Sequence, residues 1–197
     1  MENERCAQLV AESFADDPAT RVQFAGISGW HEQFEAHCRC KIEAYEKLGC
    51  LTTHGDDGLA IGYFTEDVSL EMLATALQDA AGPLISDTTA EDLARMQENV
   101  LNVAEIIDPL WYQRFTDKAN VYVLQIIAVQ KEKRGSGAFR KLIDPLLQAA
   151  EVRKAPVALQ TDRQELVALY EHFGFELVEE LCSQKVNLTC FNMIKQP

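Results

Sequence analysis

Between residues 120 and 147 the chain passes from an almost unbroken β-forming segment, through a short basic loop with two glycines, into an amphipathic helix. Val121-Tyr122-Val123-Leu124-Gln125-Ile126-Ile127-Ala128-Val129 has the composition of a strand buried on both faces. Beyond the loop, Phe139, Leu142, Ile143, Leu146 and Leu147 recur at three- and four-residue steps, which places them on one helix face. Residues 156–160 read as a short core strand. Asp162-Arg163-Gln164-Glu165 has the form of a capping box. It opens a helix with Leu166, Leu169, Tyr170 and Phe173 on one face and Gly174 at its end. Residues 175–182 and 186–194 supply two last strands. Strand, helix, strand, helix, strand, strand is an α/β sheet covered by helices.

The N-terminal half is less regular. Residues 4–15 predict a helix with Leu9, Val10 and Phe14 on its apolar face, stopped by Asp16-Asp17-Pro18. Phe34, His37, Cys38, Ile42 and Tyr45 predict a second helix over residues 30–47, with Gly49 where a left-handed cap is expected. Residues 50–53 and 59–64 predict a hairpin around Gly55-Asp56-Asp57-Gly58. Further helices are expected over 69–80, ended by Gly82-Pro83, and over 89–106. The latter starts at Thr88-Thr89-Ala90-Glu91, with Glu91 reaching back to the cap, and buries Leu93, Met96, Val100, Leu101 and Val103. Residues 108–119 predict a loop or short helix carrying Trp111, Tyr112 and Phe115. No repeat or linker is evident, and no convincing strand precedes the opening helix.

Charge is unevenly placed. The chain carries 18 lysines and arginines against 31 aspartates and glutamates, a net of −13. Residues 51–110 hold much of the excess, with Arg95 as their single base. Such a segment serves solubility, or it forms an electrostatic funnel for a cationic substrate. Residues 131–140 are the opposite: Lys131, Lys133, Arg134 and Arg140 against Glu132 alone. In this loop several features coincide. Gly135 and Gly137 allow consecutive N–H groups to converge. The next helix presents the positive end of its dipole and its first unpaired N–H groups. Arg134 and its lysine neighbours add full charges. Together these predict a pyrophosphate cradle. A Walker loop does not fit, because no lysine followed by serine or threonine comes after Gly137. The dinucleotide fingerprint does not fit either, because Phe139 stands where its third glycine belongs.

The order strand, Arg134-Gly135-Ser136-Gly137-Ala138, helix resembles the acyl-CoA loop of the GCN5-related N-acetyltransferases. That motif runs arginine or glutamine, two residues, glycine, one residue, glycine or alanine. A second block, Leu159-Gln160-Thr161 and then Leu169-Tyr170-Glu171-His172-Phe173-Gly174-Phe175, resembles the family's late strand and helix. The resemblance covers residues 120–182; residues 1–119 match in layout only. It implies an α/β fold: a central mixed, mostly antiparallel sheet with a splayed central strand pair, flanked by helices on both faces. It also implies one acyltransferase domain over 1–197, with substrate-side helices and hairpin in 1–119 and an acetyl-CoA-binding core in 120–197. Two departures stand out. Phe139 replaces the last glycine or alanine, which could shift the loop against the phosphate. Leu166 stands where many members place an asparagine facing the cofactor.

The implied chemistry is direct attack of a primary amine, on a small molecule or peptide, at the thioester of acetyl-CoA. By resemblance, the backbone of Ile127, Ala128 and Val129 contacts the cosubstrate, and the N–H of Val129 or Ala128 polarises the thioester carbonyl. Arg134, Gly135, Ser136, Gly137, Ala138, Phe139 and Arg140 hold the pyrophosphate. Tyr170 aligns with the family's general acid; from its helix alone it is an aromatic packed beside Leu166 and Phe173. The base stays open. Residues 120–129 carry no carboxylate or histidine, and Glu66, Glu105, Asp108 and Asp117 are candidates by type, beside a water relay or an amine that arrives neutral. Trp30, Tyr63, Trp111 and Tyr112 could line an acceptor pocket or belong to the core. Two other readings are an acyl-CoA-binding or interaction protein without turnover, and a nucleotide domain in which ATP would compete with CoA at the loop.

The remaining expectations come from composition. A net charge of −13 repels nucleic acid and anionic membrane. No apolar run approaches the roughly 18 residues of a membrane helix, and Met1 to Arg5 do not resemble a signal peptide. Cys6, Cys38, Cys40, Cys50, Cys182 and Cys190 then read as free thiols in a reducing, cytoplasmic compartment, which leaves the sequon at Asn187 idle. His31, His37, Cys38 and Cys40 fit no common zinc pattern, and no metal is expected. The final strands are edges at which two chains could pair into a homodimer.

Overall fold

The computed structural model describes residues 1–197, with the side chains of all but Pro83. The helices are α1 (Asn3–Phe14), α2 (Pro18–Gln23), α3 (Trp30–Lys47), α4 (Leu70–Asp87), α5 (Ala90–Val103), α6 (Ala138–Val152) and α7 (Gln164–His172). The strands are β1 (Leu51–His54), β2 (Gly58–Phe64), β3 (Tyr122–Val129), β4 (Val157–Thr161), β5 (Glu176–Cys182) and β6 (Thr189–Lys195). They form one sheet in the order β1-β2-β3-β4-β6-β5, in which only the β3–β4 pair is parallel.

The two-residue period of a strand sorts the central side chains to opposite faces. Leu59, Ile61, Tyr63, Val121 and Val123 meet Leu9 and Val10 of α1 and Ile42 of α3. Ala60, Phe64, Tyr122, Leu124 and Leu159 meet Ile143 and Leu146 of α6 and Tyr170 of α7. The sheet is therefore mixed, mostly antiparallel and covered on both faces, as expected.

The central pair separates partway along. β3 pairs with β4 only at Tyr122↔Val157, Val123↔Ala158 and Leu124↔Leu159. Against β2, the register steps from Gly62↔Leu124 to Ile61↔Ile126, so Gln125 is an extra residue. A bulge of this kind bends its strand, and here it coincides with the end of pairing to β4. The expectation of a strand buried on both faces therefore fails at Gln125, which is exposed, and at Ile126 and Ile127, which are half-buried. These three residues border the gap.

Gly58 braces the far end of this strand. A Cβ there would lie 2.6 Å from the Ala128 carbonyl oxygen and 2.8 Å from Leu142 Cδ1 of α6. Gly58→Ala is expected to lower stability by about 1–3 kcal/mol through overpacking, read as a reduced midpoint in urea.

Several helix boundaries differ from expectation. Asp16-Asp17-Pro18 ends α1 but also starts α2. α4 continues past Gly82 to Asp87, with Ala76 and Ala80 packed on Ala44 of α3 and the Ser86 and Thr88 hydroxyls bonded to the carbonyls of Gly82 and Leu84. α5 is capped by Thr89 with Asp92, not Glu91. Its buried side holds Asn99, whose Nδ2 donates to the carbonyls of Gln23 and Ala25, while Val100 and Leu101 are exposed. Of the last two strands only β5 is an edge, since β6 lies between β4 and β5. Among the described residues no helix is long and apolar enough to cross a membrane.

Candidate active site

Beyond Leu124 the side of β3 toward β4 has no strand partner. Gln130 N–H donates to the Asp57 carbonyl on the β2 side at 2.9 Å. Strand alternation then turns the N–H and C=O of Val129 and Ile127 away from β2, into the gap, and leaves those of Ala128 toward β2. The Val129 carbonyl accepts from Arg134 Nε at 3.4 Å, which agrees with that orientation.

A cavity of about 470 Å³ opens on this stretch. It is lined by Ile127, Ala128, Val129, Arg134, Gly135, Gly137, Phe139, Arg140 and Tyr170 among the expected residues, and by Ser13, Phe14, Asp17 and Arg163 among unexpected ones. Gly135 and Gly137 have φ of 77° and 87°, and nothing stands within 4 Å of a Cβ built on either. The N–H groups of Gly135, Gly137, Ala138, Phe139 and Arg140 have no protein partner among the described residues; the first α6 hydrogen bond is Lys141 N–H to the Gly137 carbonyl. Arg140 lies over Phe173 at 4.8 Å and reaches His172 Nε2 at 3.1 Å.

Three expected residues are placed differently from the simple reading. The Ser136 hydroxyl donates to the Lys133 carbonyl at 2.6 Å, and its side chain does not line the cavity. Ala138 is buried against Val129 and Leu142, so only its backbone is offered. Phe139 does not displace the loop: it sits in the first turn of α6 with its ring 6.1 Å from Tyr170 and 5.3 Å from Phe173. Lys133, counted among the loop cations, pairs with Asp57 at 3.1 Å.

A second cavity, of about 220 Å³, adjoins it at the splay, between β3, β4, α1 and α3. Phe14, Asp17, Ile127, Leu166 and Tyr170 line both. The Tyr170 ring is buried among Phe139 and Phe175, while its hydroxyl has no protein partner among the described residues. Burial, with the charge of Asp17, pushes its pKa up to about 12, so the phenol stays protonated. Asp17 is 6% exposed. Its pKa is raised to about 6 by burial and by the charge of Asp162, against the pull of Arg163 Nη1 at 3.3 Å.

Asp17 is available because another residue caps its helix. It is the N-cap of α2 but makes no side-chain cap bond. Asp162 Oδ2 instead accepts the Ala19 N–H at 2.6 Å. The expected box at Asp162 therefore does not cap α7, whose N-cap is Arg163 with no side-chain cap bond.

The smaller cavity is also lined by Phe34, His37, Cys38 and Lys41 of α3 and by Gln160 and Cys190. Burial, with Lys41 nearby, lowers the His37 pKa to about 3. Burial pushes both thiols up to about 12, so neither is a nucleophile near neutral pH. Glu66, Glu105, Asp108 and Asp117 line neither cavity. Glu105 instead accepts from Ser183 and Gln184, and Asp108 from Leu110 and Arg114. Nor does any other carboxylate of residues 51–110 line either one, so the funnel expected of that segment does not form at the site. Tyr63, Trp111 and Tyr112 are core residues, and Trp30 stacks on His31.

No family model matches the chain. Among curated proteins, a 119-residue stretch is 27% identical to the uncharacterized N-acetyltransferase C550.08 of Schizosaccharomyces pombe. The match takes in 58% of this chain but only 39% of that protein. Among solved structures, histone acetyltransferase HPA2 and related acetyltransferase from Corynebacterium glutamicum superposes with a TM-score of 0.61 at 16% identity, over 99% of this chain and 91% of that one. Arylalkylamine N-acetyltransferase 2 from Aedes aegypti gives 0.55 at 15% identity, over 96% and 94%. The chain has an acetyltransferase fold. That fold is the one shared by the GCN5-related N-acetyltransferase superfamily.

Asp17 and Lys41 are among the site residues that motif reading misses. Both lie in the half where the resemblance is one of layout, and neither belongs to a local pattern. A proline directly after a two-aspartate stop is the one available signal for Asp17, since proline favours the first position of a new helix.

Proposed function

We propose that the protein is an acetyl-CoA-dependent N-acetyltransferase acting on a primary amine. The observation that carries this reading is the meeting of two cavities at the β3–β4 splay, one floored by unpartnered amides. The open cradle at Gly135 and Gly137 fits a diphosphate: main-chain donors, a helix N-terminus and Arg134 and Arg140 supply matching charge. When bound there, acetyl-CoA supplies the acetyl group as a thioester. The Val129 N–H, aimed into the gap, polarises the carbonyl oxygen. Asp17 takes the proton that the amine must lose, and Tyr170 donates one toward the departing sulfur. Residues 120–197 form the cosubstrate core, and residues 1–119 contribute the base and half of the acceptor cavity's lining. The six unpaired cysteines support a cytoplasmic setting.

The test is calorimetry with CoA and acetyl-CoA, followed by thiol release over a panel of amines. Tyr170→Phe is expected to lower kcat about 10²-fold while leaving the acetyl-CoA Kd unchanged. Binding without release for every amine would instead favour a non-catalytic acyl-CoA binder.

A further inference from the structure

Resting on that reading of the site, we infer that the acceptor is a small amine that also carries a carboxylate or comparable anionic group, and that Lys41 receives that group.

Lys41 projects from α3 into the smaller cavity, and no hydrogen bond or ion pair to its ammonium is present among the described residues. The chain has 31 carboxylates, yet none reaches it. Lys41 is half-buried and burial lowers its pKa from the usual lysine range, so an anion seated beside it favours its charged form. Phe34 and Cys38 stand beside it on the same helix, and His37, one turn before it, is held neutral by burial. Among the described residues no other lysine or arginine lines the cavity.

The cavity holds groups of both signs: the carboxylates of Asp17 and Asp162, the latter bound to the Ala19 N–H, and the amine of Lys41. Asp17 and Tyr170 also line the cosubstrate cavity, so their end is where transfer occurs. Lys41 and Cys38 line the smaller cavity and not the cosubstrate cavity. An acceptor spanning it presents its amine to Asp17 and its anion to Lys41. Such a ligand is zwitterionic and of amino-acid size, consistent with a volume of about 220 Å³. The cationic acceptor expected from the acidic stretch 51–110 has no counterpart in the lining, because none of those carboxylates is there.

The experiment compares matched acceptors: α-amino acids, their carboxamides, and the corresponding decarboxylated amines. Each is assayed by thiol release and, separately, by calorimetric binding to the CoA-saturated protein. The carboxylate forms are expected to show kcat/KM at least tenfold above their amides. Lys41→Met should bring that ratio to about one, Lys41→Arg should retain it, and the acetyl-CoA Kd should stay constant in both. Replacing the half-buried, unpartnered Lys41 side chain by methionine preserves the packing of its aliphatic stem, and the melting temperature checks that the variant folds. Equal use of amides and carboxylates, or a preference that survives Lys41→Met, overturns the inference. If CoA binds but no amine is acetylated, the catalytic reading fails. The anion site is then still judged by whether carboxylate-bearing amines bind the CoA complex in a Lys41-dependent way, and no such binding overturns it.

Discussion

Asp17→Asn is expected to lower kcat/KM about 10²-fold and, in the same protein, to raise stability above pH 6. Both effects follow from one carboxylate. Asp17 is nearly fully buried, its pKa is raised to about 6, and it borders both cavities. An unfolded aspartate titrates near 3.9. Between those values the folded chain still holds a proton that the unfolded chain has released. Stability therefore falls as pH rises through this window and stays lower above it. A shift of about two units corresponds to at most about 3 kcal/mol. Asparagine removes the charge and with it the penalty, so the variant should unfold at higher urea at pH 8 and show little gain at pH 4. The same ionisation gives the wild type a rising limb in kcat/KM near pH 6, which Asp17→Asn should abolish. Such an exchange of stability for activity marks a group retained for chemistry. A variant that keeps its rate and its pH limb would remove Asp17 from the mechanism.

The sequence made some of this readable and hid the rest for physical reasons. The strand, loop and helix of residues 120–150 are written locally: β-formers, then glycines, then a three- and four-residue apolar rhythm. Eight of the ten loop and strand residues expected to contact the cosubstrate line the observed cavity; Ala138 offers its N–H alone, and Ser136 turns both its hydroxyl and its N–H to the Lys133 carbonyl. α3 is bounded as its apolar spacing predicts, with Gly49 at φ 70° beyond its end. What local pattern could not give is anything decided across the chain. Asp162 reads as a cap for the helix that follows it, yet it serves Ala19 of α2, 143 positions away. That swap frees Asp17, and no window of sequence contains both partners. The bulge at Gln125 is similar, because its register is set against β2. On α5 the apolar residues Val100 and Leu101 look buried by composition. The helix nevertheless turns Asn99 inward, where its amide serves the Gln23 carbonyl at the end of α2 and the Ala25 carbonyl just beyond it.

Gly137→Val is expected to raise the Kd for acetyl-CoA more than 10²-fold. Gly137 is the N-cap of α6 with φ 87° and ψ 3°, a conformation in which a β-branched residue is strained. Nothing lies within 4 Å of its would-be Cβ, so valine meets no wall and the penalty is in the backbone itself. To relieve it the loop must rotate, and the amides of Gly137, Ala138 and Phe139 then lose their common direction. Hydrogen bonds to a charged group contribute about 1.5–3 kcal/mol each. Misaligning two of them therefore exceeds the roughly 2.7 kcal/mol that corresponds to 10²-fold in affinity. Strain alone also lowers stability, so a matched control is needed. Gly49 has φ 70°, ends α3, lacks neighbours within 4 Å of a Cβ, and lines neither cavity. Gly49→Val should cost a comparable amount of stability, about 1–3 kcal/mol, and leave acetyl-CoA affinity as it was. Calorimetry and urea titration on the two variants separate the effects. If both lose affinity equally, the loss is global softening; if neither does, the diphosphate is not held by the amides at the head of α6.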